Sequence, residues 1–245
     1  MIKLKSYSAR TDSGPFLQVN EDDHDVDLVN NLFLIFDGFG GSNVGDKAVE
    51  LVKETVKKFY TKIGGDPDST LPFYYSHKYL IEGNALINAL HLAHSLLKKE
   101  NQDKDMSSRG GASGICAALA ENIITFASTG NCLCYRYRKG RLEKIVQPDS
   151  LRTISRDDYE SQFCSAPMSG FGLFDDLHLQ VAEYRVLPED LFIMLTDGVY
   201  TRVEDKEISY TIEKNIPQSE KIDELFTLAN SRGNLDNQSA IFLQF

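Results

Sequence analysis

The sequence has 245 residues, 42% of them hydrophobic and 10% aromatic, enough for one large domain with a full core and unlike a disordered chain. A formal net charge of -10 repels nucleic acid and anionic membrane surfaces, so neither is an expected partner. MIKLKSYSAR has no apolar stretch long enough for a signal peptide, and no window approaches the ~18 consecutive apolar residues of a membrane span, so a cytoplasmic location is expected.

An acidic cluster, EDDHDVD at 21–27, precedes the first strong strand signal, NLFLIFD at 31–37, whose continuous apolar run suits a strand buried on both faces. Val44, Ala48, Leu51, Val52, Val56, Phe59 and Ile63 then recur at helical period, with Lys and Glu on the opposite side. A second helix is predicted from about Ser76 to Lys99. ENIITFASTGN and CLCYRYRKGRLEKI, at 121–131 and 132–145, read as two strands and a hairpin across 138–141, with Gly140 able to supply a positive φ. Further strands are predicted in HLQVAEYRVL (178–187), DLFIMLTDG (190–198) and SAIFLQF (239–245). Between the last two, SEKIDELFTLANSR predicts a helix N-capped by Ser219, with Ile222, Leu225, Phe226 and Ala229 on one face. Many strands and a few long helices without strict alternation predict a mostly antiparallel, layered α+β fold in a single domain spanning 1–245. Cys116, Cys132, Cys134 and Cys164 read as buried free thiols, since no CxxC or HxxxH pair accompanies them.

Two apolar runs end in Asp-Gly, at Asp37-Gly38 and Asp197-Gly198; Glu21-Asp22 stands just ahead of one strand and Asp236-Asn237 at the start of another. A single Asp-Gly after a strand is most often a turn. The recurrence favours carboxylates converging at one rim, where mutual repulsion calls for a hard divalent cation such as Mg²⁺ or Mn²⁺. Glycine after each Asp would let a carbonyl face an ion and let solvent approach. The loop FGGSNVGDKA (39–48) lacks the Lys and spacing of a phosphate-binding P-loop, which excludes nucleotide binding there.

In motif order the chain resembles the metal-dependent PPM (PP2C-type) serine/threonine protein phosphatases in their compact bacterial form. TDSGPFLQVNED (11–22), IFDGFGGSNVGDKA (35–48) and RGGASGICAAL (109–119) are similar to the first motif, the DGxGG segment and the small-residue strand. ITFASTGNCLCYRYRKGRLEKI (124–145), LFIMLTDGVYTRVEDKEI (191–208) and GNLDNQSAIFL (233–243) are similar to the strand pair around GDSR, the SDG segment and the terminal DN. The resemblance implies two packed antiparallel β-sheets flanked by helices on both outer faces, and a centre of two Mg²⁺ or Mn²⁺ ions per chain. It further implies that Asp37 bridges the ions, that the Gly38 carbonyl binds one, and that Asp197 and Asp236 bind the other with the Glu21-Asp22 pair. The implied chemistry is in-line attack of a metal-activated water on phosphoserine or phosphothreonine, without a covalent intermediate. A phosphorylated protein, and a cognate kinase, are the implied partners.

Three departures qualify this reading. Leu17 stands where the family carries a phosphate-gripping Arg, so weak activity is expected unless Arg10, Arg109 or Arg202 reaches the site. Asn131 replaces the GDSR Asp associated with a third metal, and Phe39 offers no general acid. His24 is the nearest imidazole to the acidic pair, although a surface loop His is the blander reading. The segment 148–176 corresponds to the family's variable flap, where the polar SRDDYESQF (155–163) and the Gly- and Phe-rich PMSGFGLFDD (167–176) suggest a mobile loop that contacts substrate or a partner. The competing expectations are a phosphatase-fold protein that binds phosphoproteins or a kinase without turnover, and a hydrolase of small phosphoesters.

Overall fold

In the computed structural model, which describes residues 2–40, 44–65, 70–151 and 165–245, the apolar runs form two five-stranded sheets. One contains, in spatial order, β1 (Ser6–Asp12), β10 (Gln238–Gln244), β9 (Leu191–Leu195), β6 (Leu133–Arg138) and β7 (Arg141–Val146). The other contains β2 (Asp23–Asp27), β3 (Leu32–Gly40), β4 (Gly110–Ala120), β5 (Ile123–Thr129) and β8 (Gln180–Arg185). Every pairing is antiparallel. The helices are α1 (Gly45–Gly65), α2 (Ile81–Asn101), the one-turn α3 (Asp197–Tyr200), α4 (Asp205–Glu213) and α5 (Gln218–Ser231). None is long and apolar enough to cross a membrane.

Period-two alternation sorts each strand between two environments. In β3, Leu32, Leu34 and Phe36 face α1 and α2, packing against Val52, Val56, Leu86 and Leu90. Phe33 and Ile35 point the other way, into the seam between the sheets, where they meet Ile115, Phe192, Met194, Ile241 and Leu243. On the far side, Ile193, Leu195, Ala240 and Phe242 pack beneath Ile208, Ile222 and Leu225 of α4 and α5. Three buried layers thus separate helices, sheet, sheet and helices.

Several elements depart from expectation. β3 does not stop at Asp37 but runs on to Gly40, because the small residues of β4 let the ladder continue through Phe39 opposite Gly111 and Gly40 opposite Gly110. The second helix begins at Ile81 rather than near Ser76. Asn84 and Asn88, both fully buried, hold the preceding loop instead: Asn88 Oδ1 accepts the Phe73 amide at 2.8 Å, and Asn84 Nδ2 donates to the carbonyls of Ser76, Tyr79 and Leu80. Such local side-chain bonding offers the backbone an alternative to helix. The last helix starts at Gln218 with Pro217 at the N-cap, whose carbonyl accepts the Lys221 amide at 3.1 Å; Ser219 lies inside the first turn. The hairpin has positive φ at Lys139 as well as Gly140, the signature of a type I′ turn. Cys116, Cys132 and Cys134 are buried and free; Cys164 lies outside the described residues, as does 152–164 of the expected flap. At the flap's other end Phe171 is fully buried edge-on to Phe36, its amide donating to the Ala112 carbonyl at 2.8 Å, which anchors the Gly- and Phe-rich part.

Candidate metal centre

The seam between the sheets is apolar along most of its length and turns polar in its final rung. The same alternation that puts Ile35, Ile115, Met194 and Ile241 in the seam carries Asp37, Ser113, Thr196 and Ser239 to its end. Extending the β2–β3 register by one residue sets Asp22 opposite Asp37. Asp22, Asp37 and Asp197 are all buried, with 6%, 8% and 6% of their surface exposed.

Neighbours fix each carboxylate. The Thr196 hydroxyl accepts the Ser239 amide at 2.8 Å, which leaves its proton to donate to Asp22 Oδ2 at 2.8 Å. Asp197, the first residue of α3, accepts from Asn131 Nδ2 at 3.0 Å and lies within hydrogen-bonding reach of Asp37. Glu21 Oε1 accepts the Gly45 amide at 3.0 Å, so this carboxylate sits at the N-terminus of α1 where the helix dipole favours it. Asn237 holds the opposite wall: its Oδ1 accepts the Glu21 amide at 2.8 Å, and its Nδ2 donates to the carbonyls of Ser13 and Val19. Asn234 clamps Asp236 from both sides of the peptide, accepting its amide at 3.1 Å and donating to its carbonyl at 2.8 Å.

The glycines serve the packing of these walls. A Cβ on Gly38 would lie 2.6 Å from the Glu21 carbonyl oxygen and 2.7 Å from that of Gly45, and one on Gly198 would collide with the Asn237 carbonyl. Close backbone approach, more than access for solvent, explains why both positions lack a side chain.

Burial and mutual repulsion dominate the electrostatics. Asp37 is pushed well above the usual carboxylate range by burial first, then by Asp197, Asp22, Asp236 and Glu21. Asp22 is raised by burial, with Asp197 and Asp236 adding to it, and Asp197 is pushed up to about 7 by burial and Asp236. Burial also raises Asp236 and Glu21. Beneath them the Cys132 thiol is raised by burial and then by Asp37, Asp22 and Asp197, so it stays protonated. Among the described residues none of these carboxylates forms an ion pair.

As placed, no three His, Cys, Asp or Glu side chains among the described residues are grouped to hold an ion. The donor set nevertheless fits a hard dication: it is all oxygen, its Asp22, Asp37 and Asp197 are buried, its members repel one another, and among the described residues it has no cationic partner. Of the residues expected at the site, Asp22, Asp197 and Asp236 lie near enough to raise the pKa of Asp37, and Glu21 borders them at the start of α1.

The substitutes considered for the missing guanidinium are mostly engaged elsewhere. Arg10 pairs with Asp223 at 3.2 Å and Arg109 Nε donates to the Lys104 carbonyl at 2.9 Å. Leu17 is 41% exposed in the loop that Asn237 tethers. His24 belongs to β2 rather than a surface loop, one step deeper along the seam than Asp22, and burial lowers its pKa. Thr196, Ser239 and Asn234, which orient the carboxylates, were not singled out from sequence, and Asn237 was named only as the neighbour of Asp236; for Thr196 and Ser239 the available signal was the seam alternation carried one rung further.

No protein-family model and no curated protein matches the sequence. Solved structures do match over the full length. PppA, described as a key regulatory component of T6SS in Pseudomonas aeruginosa, is 23% identical with a TM-score of 0.79, covering 98% of each chain. The PPM Ser-Thr phosphatase MsPP of Mycobacterium smegmatis is 19% identical with a TM-score of 0.80, covering 100% of each chain. The catalytic domain of PstP, solved with two manganese ions, is 21% identical with a TM-score of 0.77, covering 98% of this chain and 97% of that one. The fold is that of the bacterial PPM (PP2C-type) serine/threonine phosphatases, as the order of the six motifs implied.

Proposed function

We propose that the chain is a metal-dependent protein phosphatase of the cytoplasm that hydrolyses phosphoserine and phosphothreonine, with a phosphate grip weakened by Leu17. The observation that carries this reading is the group of carboxylates at the end of the seam, raised in pKa by burial and one another and unpaired among the described residues. Asp37, Asp197, Asp236 and Asp22, with Glu21 and the Gly38 carbonyl, would hold Mg²⁺ or Mn²⁺. When bound, such ions supply a water acidified toward neutral pH and neutralise charge on a phosphoryl group. The chain's own residues prepare the place: Thr196 points Asp22 inward, Asn131 turns Asp197 toward Asp37, and Asn237 holds Glu21 and the β1–β2 loop together. The substrate in this reading is a phosphorylated protein, and the functional counterpart is the kinase that modifies it.

Leu17 and Asn131 favour a second reading, a phosphatase-fold protein that binds phosphoproteins or a kinase without turnover. Hydrolysis of a phosphothreonine peptide at saturating Mn²⁺ separates them. Turnover is expected in the native chain, with a loss of more than about 100-fold in Asp37→Asn or Asp197→Asn. Silence in every variant with metal still bound would establish the binding protein instead.

A further inference from the structure

Where α3 ends lies a cavity of about 690 Å³ lined by Tyr135, Lys144, Tyr200, Arg202 and Arg232 among others. A smaller cavity of about 290 Å³ opens at Asp197 and Asp236, and Thr201 lines both. The two are linked through bonds as well as space: the Tyr200 hydroxyl donates to the Asn131 carbonyl at 2.5 Å, and the Asn131 amide donates to Asp197.

The charges of the larger cavity do not cancel. Lys144 pairs with Asp205 at 3.0 Å, and Arg232 grips Glu207 with two bonds of 2.6 Å. The acids are likewise engaged, Glu204 with Lys206 at 2.8 Å and Asp205 also with the Tyr135 hydroxyl at 2.6 Å. Arg202 is different. Its backbone is held at both ends, the amide by the Val199 carbonyl and the carbonyl by Arg232 Nη1 at 2.8 Å, yet its side chain makes no hydrogen bond or ion pair among the described residues. Its Nε is buried without an acceptor, which is costly for a guanidinium unless a ligand supplies one. In a chain of net charge -10, a guanidinium unspent among the described residues, in a cavity that Tyr135 and Tyr200 also line, is suited to receive an anion.

We propose that this cavity receives the stretch of a phosphoprotein substrate next to its phosphorylated residue, and that Arg202 pairs there with an anionic group, a carboxylate or a second phosphate. The inference rests on the phosphatase reading above and adds a specificity-determining residue to it. Arg202 lies five residues beyond Asp197 and two beyond the end of α3, and Thr201 between them lines both cavities, so a short extended peptide can reach from one to the other. A dianion or carboxylate suits the planar guanidinium fork better than a neutral side chain does.

The test uses phosphothreonine peptides that are identical except for Glu, phosphoserine or Ala two and three residues from the phosphothreonine, with p-nitrophenyl phosphate as a substrate that has no flank. Arg202→Gln is expected to raise KM for the Glu and phosphoserine peptides by about tenfold with kcat unchanged, and to leave the Ala peptide and the aryl phosphate unaffected. Arg202→Lys should recover part of the loss. The Glu and phosphoserine arms tell which anion is preferred. An equal change on all four substrates would overturn the proposal, because a merely structural role moves them together. If the native chain hydrolyses nothing, the phosphatase reading fails separately, and anisotropy of the same fluorescein-labelled peptides decides: tighter binding of the acidic peptides by native chain than by Arg202→Gln supports the subsite, and equal binding refutes it.

Discussion

A carboxylate buried among others keeps its proton, and Asp197, moved from an ordinary 3.8 up to about 7, does so through most of the mildly acidic range. Between those values the folded chain binds a proton that the unfolded chain has released, so stability falls as pH rises. In chelator, the contribution should be full below about pH 4 and lost as pH passes about 7, giving a melting temperature higher at pH 5 than at pH 8. Mn²⁺ should flatten or invert that slope, since metal replaces the protons; a chelated protein most stable at pH 8 would contradict the carboxylate cluster. For the same reason Asp37→Asn, although expected to lose activity, should melt a few degrees higher than native in chelator, on the order of 1–2 kcal/mol at about 2–4 °C each. Leu17→Arg tests the remaining departure: KM for a phosphothreonine peptide should fall about tenfold as a guanidinium is restored.

At the scale of elements, the rim is an assembly of chain ends held by backbone contact. Gly38→Ala forces a Cβ against the Glu21 and Gly45 carbonyls, 2.6 and 2.7 Å away, and should cost about 2–4 kcal/mol by urea denaturation. Phe171→Ala, which empties a site in the helix-side core, should cost about 3–5 kcal/mol and test the anchoring of the segment after 164. How much of this was legible in the sequence differs by element. The Val44–Ile63 stripe and the apolar runs at 32–36 and 191–195 announced their burial because an apolar period has one physical cause. Asp37 and Asp197 were legible because each ends such a run, and Glu21, Asp22 and Asp236 because they flank strands. Asn84 was not, since a buried Asn in an apolar helix looks the same whether it faces a neighbour or captures the loop before it; here it captured the loop and moved the helix start to Ile81. Thr196 and Ser239 were missed because a polar residue at a strand end ordinarily faces water, although the alternation of β9 and β10 carries both inward, where they bond to each other.

For the whole molecule, metal bound in the proposed reading would be coupled to stability by the repulsion at one end of the seam. Millimolar Mg²⁺ or Mn²⁺ should raise the melting temperature by mass action, about 2.7 kcal/mol at a hundredfold excess over Kd, and an unchanged calorimetric trace would count against the site. β10 has a further consequence. It sits between β1 and β9, so its neighbours are made at very different times: residues 6–12 leave the ribosome long before residues 238–244. Until the last of these emerges, β1 and β9 border an open slot, Ser239 has not fixed Thr196, and Asp236 has not joined Asp22, Asp37 and Asp197. A chain in which β10 has not yet docked therefore exposes two adhesive strand edges and has no complete rim, so one docking event both closes the sheet and completes the carboxylate group.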